Sequence, residues 1–161
     1  MIKNIIYIIS FSLITQLAYS AGDGNGSASE NSYYDDAVKL VKRAGKLEKK
    51  NKPEKAKKLY SEAFKKLNKS YKSDKKNPDI LNYMGFTSRK IGKFEEAEDY
   101  YLKGLSLSPK HNGINEYLGE LYVQTNRIDK ANERLAVLKN CNCDEYQDLE
   151  LIIKTKGTKI Y

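Results

Sequence analysis

A 34-residue unit occurs twice in succession in this 161-residue chain: residues 112–145 laid over 78–111 place Leu118 on Met84, Gly119 on Gly85, Ile128 on Phe94, Ala131 on Ala97 and Leu135 on Tyr101. Self-similarity at such a period marks a supersecondary unit that stacks on copies of itself, because one unit alone cannot bury its apolar face. The unit is helical. Leu40, Val41, Ala44 and Leu47 share one face at helical spacing, as do Ala56, Leu59, Tyr60, Ala63, Phe64 and Leu67, and strand-like alternation is absent. Pro, Gly or Asn interrupts the helical period at Asn51-Lys52-Pro53, Asn77-Pro78, Ile91-Gly92, Ser108-Pro109, Thr125-Asn126 and Asn140. Each period therefore reads as two helices joined by a short turn.

Small residues at fixed places have a mechanical reason. Gly85 and Gly119 fall where the two helices of a hairpin should cross most closely, and Ala97 and Ala131 let the second helix approach the first. With Leu81, Met84-Gly85, Gly92, Phe94, Ala97, Tyr101 and Pro109 in place, residues 78–111 resemble a tetratricopeptide repeat (TPR), departing mainly at Ser88 and Gly104. The next repeat, 112–145, keeps Leu118-Gly119, Tyr122 and Ala131 but has Asn126 at the turn and Cys143 in place of the closing Pro. A divergent repeat over 37–77 carries Leu40, Ala44, Leu47, Ala56, Tyr60 and Ala63. Its Ala56 precedes Ala97 by 41 residues, an excess of seven or about two helical turns, expected to lengthen the helix that ends near Lys72. The resemblance implies an all-α superhelix of three hairpins within 32–157. A capping helix over about 144–156 is expected to follow, with Tyr146, Leu149, Ile152 and Ile153 on one side and Gly157 as its stop.

The amino end reads differently. Lys3, an apolar run over 5–17 and the small-residue site Ala18-Tyr19-Ser20-Ala21 read as a secretory signal peptide over 1–20. The run is short of the ~20 residues that span a bilayer. Residues 21–31, rich in Gly, Ser and Asn, read as a flexible leader. Ser32 with Asp35 reads as a capping box opening the first helix, and 158–161 as a tail. Export to a bacterial periplasm follows from this reading, and the tail of the repeat region resembles those of exported bacterial TPR proteins.

No constellation for catalysis or a cofactor is found. The chain has no GxGxxG, Walker loop, GxSxG or HExxH. The acid pairs Asp35-Asp36, Glu95-Glu96 and Asp144-Glu145 are expected in first helical turns, where they complement the helix dipole. His111, the single histidine, reads as a solvated loop residue, and neither a metal site nor a cofactor is expected. Cys141 and Cys143 form CxC; an intrachain bridge pinning the turn, an intermolecular bridge and two free thiols are all open.

The net charge of +8 is concentrated. Residues 46–76 hold thirteen Lys against Glu48, Glu54, Glu62 and Asp74, a local excess of nine. The segment has no Arg, which argues against nucleic acid. A solvated face, or a docking surface for an acidic protein or anionic lipid, remains. The family resemblance implies a concave groove lined by each hairpin's first helix, at Val41, Glu48, Lys49, Asn82, Phe86, Arg89, Lys90, Glu116, Glu120 and Val123. The family's carboxylate clamp would need Lys, Asn or Arg at Val41, Gly45, Tyr83, Gly113 and Tyr117, and lacks them. The functional expectation is a protein or peptide partner held in that groove by a non-enzymatic scaffold or adaptor of the cell envelope; the alternative is a basic protein docking to anionic lipid or polymer through the Lys-rich 46–76 hairpin, and a weak contact with an anionic membrane surface is open.

Overall fold

The computed structural model describes residues 30–157. The expected signal segment, nearly all of the leader and the tail lie outside these residues. Among them are seven helices and no strand: α1 (Glu30–Lys49), α2 (Pro53–Ser73), α3 (Pro78–Lys90), α4 (Phe94–Leu107), α5 (Asn112–Gln124), α6 (Ile128–Leu138) and α7 (Asp144–Lys154). Sequence neighbours pack on each other, and α1, α3, α5 and α7 also meet in succession, so three antiparallel hairpins and a final helix form a stack.

The three hairpins turn by one device. Each first helix ends in a residue of positive φ: Asn51 at 52°, Gly92 at 88° and Asn126 at 60°. The following amide then reaches a carbonyl five residues back: Lys52 to Leu47 at 2.9 Å, Lys93 to Ser88 at 2.9 Å and Arg127 to Tyr122 at 2.7 Å. This C-terminal closure uses a left-handed residue, which Gly and Asn adopt at least strain. The sequence breaks at these positions are therefore Schellman-type stops, and the replacement of Gly92 by Asn126 leaves the geometry intact.

The core follows the repeats. Ala97, Tyr101, Leu105, Ile114, Leu118, Leu121 and Ala131 are buried between the second and third hairpins, with Ile152 of α7 against them. Ala37, Ala63, Leu67, Ile80 and Met84 join the first hairpin to the second. Gly85 is required by contact: a Cβ there would lie 2.5 to 2.8 Å from the Tyr101 ring of α4. Gly119 differs from the expectation. Its Cβ would meet Leu149 of α7 at 2.5 Å, so this glycine admits the final helix rather than its own hairpin partner α6.

The seven-residue excess between Ala56 and Ala97 lies in α2, which has 21 residues against 14 in α4 and ends at Ser73; α1 is also long, at 20 residues against 13 in α3. Three other expectations are corrected. Helix α1 begins at Glu30, so Ser32 sits inside it rather than capping it, and Asp35-Asp36 lie beyond the first turn. Asp36 instead meets Lys66 of α2 at 2.8 Å, a cross-hairpin contact that holds its carboxyl below the usual range. His111 is not a solvated loop residue. Its Nδ1 accepts from the Ile114 amide at 3.2 Å as the cap of α5, its Nε2 is 3.0 Å from Asp79 Oδ1, and its side chain is only 17% exposed. The imidazole thus serves as a cap in place of the usual Ser or Asp.

Candidate functional site

The first helices of the hairpins expose one continuous side of the stack, and a depression of about 290 Å³ opens there. Its walls come from α1 (Val41, Gly45, Glu48, Lys49), α3 (Phe86, Arg89, Lys90), α5 (Glu116, Tyr117, Glu120) and α7 (Asp148), with Tyr60 of α2 at the floor. The fold places these residues together because α1, α3 and α5 repeat one role in successive hairpins.

Aromatic rings form the centre. Phe86 lies 4.9 Å from the Tyr117 ring and 5.8 Å from the Tyr60 ring. Phe86 and Tyr117 stay half-buried, so the cluster bridges two hairpin junctions and still presents ring surface to the groove. Phe86 thus fills the space between hairpins and also forms part of the groove wall.

Two ion pairs lie at this floor. The Arg89 guanidinium pairs with the Glu120 carboxylate, both at least nine-tenths buried. Burial pulls the Arg89 pKa down, but Glu120 and the Tyr101 and Tyr117 hydroxyls outweigh it and leave the cation favoured. Lys90 Nζ bonds Glu48 at 2.8 Å, and the same carboxylate accepts from the Tyr60 hydroxyl at 3.0 Å. Arg89 stacks 5.5 Å from the Phe86 ring centre, and Lys90 lies 5.6 Å from that of Tyr60. The resident cations thus lie against the aromatic cluster.

Sequence reasoning expected outward-facing residues at all these positions, and the structure separates them. Lys49 is exposed, and Phe86 and Lys90 are half-buried on the groove. Asn82, Glu116 and Val123 are buried, as are Arg89 and Glu120, so they build the floor and the helix junctions. The Asn82 amide nitrogen would be 2.9 Å from a Cβ on Gly113, which places Asn82 at the α3–α5 junction. Val123, with Gln124, Ile152, Lys156 and Gly157, lines a second depression of about 260 Å³ that also touches Arg89 and Glu120. The buried ion pair is therefore the ridge between two lobes of one groove. Burial was missed because each repeat sees the next only in three dimensions.

Two further features stand apart. Cys141 and Cys143 are bonded to each other across the α6–α7 turn, with Cα atoms 5.2 Å apart. Arg127 donates to both Glu98 oxygens, at 2.9 and 2.7 Å, and stacks 4.6 Å from the Tyr122 ring centre, tying the third turn to α4. No sequence signal marks that pair, whose members are 29 residues apart. Among the described residues no three His, Cys, Asp or Glu stand together where they could hold a metal ion. No described helix is long and apolar enough to cross a membrane.

Comparison with known proteins bears on the repeat. No curated protein matches the chain. Solved structures resemble it at low identity. The Yersinia enterocolitica type III secretion translocator chaperone SycD is 17% identical over 81% of this chain and 93% of its own, with a TM-score of 0.49. The Arabidopsis OM64 TPR domain is 13% identical over 76% and 98%, also at 0.49. The second TPR domain of human RPAP3, in complex with an HSP70 peptide, is 18% identical over 76% and 98%, at 0.47. Residues 78–111 match the family model described as "Tetratricopeptide repeat". The hairpin of α3 and α4, at the middle of an all-α stack whose three turns close in the same way, is a tetratricopeptide repeat.

Proposed function

We propose that this chain is a non-catalytic interaction module that holds a segment of a partner protein in the groove along α1, α3, α5 and α7. The observation that carries the reading is the half-buried Phe86–Tyr117 surface, set over Tyr60 in a concave site where Arg89 pairs with Glu120 and Lys90 with Glu48. A floor of this kind offers aromatic area at little entropic cost, and its two central cations, Arg89 and Lys90, already hold carboxylate partners. The partner segment it suits carries a large aliphatic or aromatic anchor residue flanked by polar ones.

Peptide display on the purified protein tests this. Selected binders are expected to share an apolar anchor and to lose roughly tenfold or more in affinity on Phe86→Ala or Tyr117→Ala, with melting temperature as the control for folding. Binders that tolerate both substitutions would place recognition elsewhere.

The module is proposed to act as a scaffold or adaptor in a bacterial cell envelope. Support comes from the signal-like composition of 1–20 and from the Cys141–Cys143 bond, which suits an oxidising compartment. Mass spectrometry of the protein from fractionated cells should find Ala21 at the amino terminus in the envelope fraction. An intact Met1 in the cytosolic fraction would sink this part of the proposal.

A further inference from the structure

The charge of the molecule is divided between its hairpins. Residues 32–77 carry sixteen Lys and Arg against six Asp and Glu, an excess of ten; residues 78–157 carry eleven against thirteen, a deficit of two. The first hairpin alone makes the chain basic.

On α2 that charge forms a row. Lys55, Lys58, Glu62, Lys65, Lys69 and Lys72 follow at intervals of 3, 4, 3, 4 and 3, all exposed, while Ala56, Tyr60, Ala63, Leu67 and Ser70 are buried on the opposite side. The row runs about 26 Å along an uninterrupted helix. None of its five lysines makes an ion pair among the described residues; Lys66, outside the row, is the one that bonds Asp36. Lysines three or four residues apart repel one another and weaken a helix, and Glu62 relieves only the middle of the row. A polar end face for a helical stack does not require this arrangement, since mixed charges would serve equally well.

We propose that the lysine row of α2 is a docking surface for an anionic phospholipid bilayer. Three features select that partner over other anions. The row is straight, so it matches an extended flat surface. Its exposed positions hold no aromatic, aliphatic or Arg side chain, the types that anchor protein interfaces and read nucleic acid. Lysine is a hydrated, mobile point charge that needs no fixed acceptor geometry, which fits fluid headgroups. Docking through α2 uses the back of the first hairpin, so the groove on α1, α3 and α5 stays open. The proposal does not rest on the groove reading.

The test is vesicle flotation of the protein purified from its native cells, using phosphatidylcholine vesicles with and without phosphatidylglycerol. Binding is expected only with phosphatidylglycerol, fading as salt approaches ~1 M, where the Debye length is about 3 Å. Replacing Lys55, Lys58, Lys65, Lys69 and Lys72 together by Gln should weaken it by about a hundredfold or more. The same change at Lys103, Lys110, Lys130, Lys139 and Lys154, also exposed, should have a far smaller effect. Helical circular dichroism checks the fold of both variants. Equal losses in the two sets, unchanged binding of the α2 variant, or tighter binding to polyglutamate or duplex DNA than to vesicles of matched charge would overturn the assignment.

Discussion

Alanine for glycine is the smallest change that enlarges a side chain, and in this protein its sign should depend on position. At Gly85 the new methyl would meet Cε1, Cδ1 and Cζ of Tyr101 at 2.5, 2.6 and 2.8 Å. Ordinary carbon contacts begin near 3.5 Å, so α3 and α4 must part by roughly 1 Å or the ring must turn. The ring is fully buried. Overpacking of this kind costs about 1–3 kcal/mol, against a gain of about 1 kcal/mol from replacing Gly within a helix, leaving a net loss of up to about 2 kcal/mol. At Gly45 in α1 nothing lies within 4 Å of the new methyl, so only the gain remains. Two identical substitutions should thus differ by about 1–3 kcal/mol, the overpacking cost itself. Urea unfolding followed by helical circular dichroism measures both, and Tyr101→Leu should shrink the penalty at Gly85 by removing the ring. A Gly85→Ala protein stabilised as much as Gly45→Ala would refute the claim that this contact sets the spacing of α3 and α4.

Three further outcomes follow from buried charge, phenols and the turn. Arg89→Met should cost about 3–5 kcal/mol in a thermal or urea melt, because it leaves Glu120 buried without its cation, whereas Arg89→Met with Glu120→Leu should cost less than that single change. Burial, ahead of Glu98, pushes the Tyr122 hydroxyl up to about 12, and burial likewise raises Tyr60, Tyr101 and Tyr117. A raised folded pKa means stability is whole below the unfolded value near 10 and lost as pH climbs through the folded one. Melting temperature should hold up to about pH 10 and then fall, less steeply in Tyr122→Phe; a fall that begins near neutrality would contradict this. Replacing Cys141 and Cys143 by Ser should lower the melting temperature by only a few degrees, since the bond closes a very short loop, while speeding amide exchange in the first turn of α7.

The hairpins were legible because their determinants are local. The period, the small residues and the stops at Asn51, Gly92 and Asn126 are all written within a few residues of where they act. What escaped depends on distant partners. His111 reads as loop until Asp79 is beside it, and Gly119 reads as a hairpin glycine until Leu149 of α7 is laid across it. The start of α1 was missed because Ser32 and Asp35 have the spacing of a capping box, yet the helix continues upstream of them. Within the groove, residue types were readable and their exposure was not. Arg89 and Glu120 look like solvent-facing charges in one dimension and become a buried pair only when α3 and α5 pack.

The stack of near neighbours has a consequence for how the molecule opens. Because each hairpin touches mainly the next, unfolding need not be all-or-none, and separate ends can exchange with solvent at different free energies. Helices α6 and α7, at 11 residues each, form the short end, while α1 and α2 form the long one. Fraying should therefore begin at α7 and release Ile152 from the second lobe of the groove before the aromatic floor is disturbed. A bound segment that reaches this lobe would lock the weakest end of the protein, so occupancy should be readable as slowed hydrogen exchange in α7, about 30 residues along the chain from Tyr117.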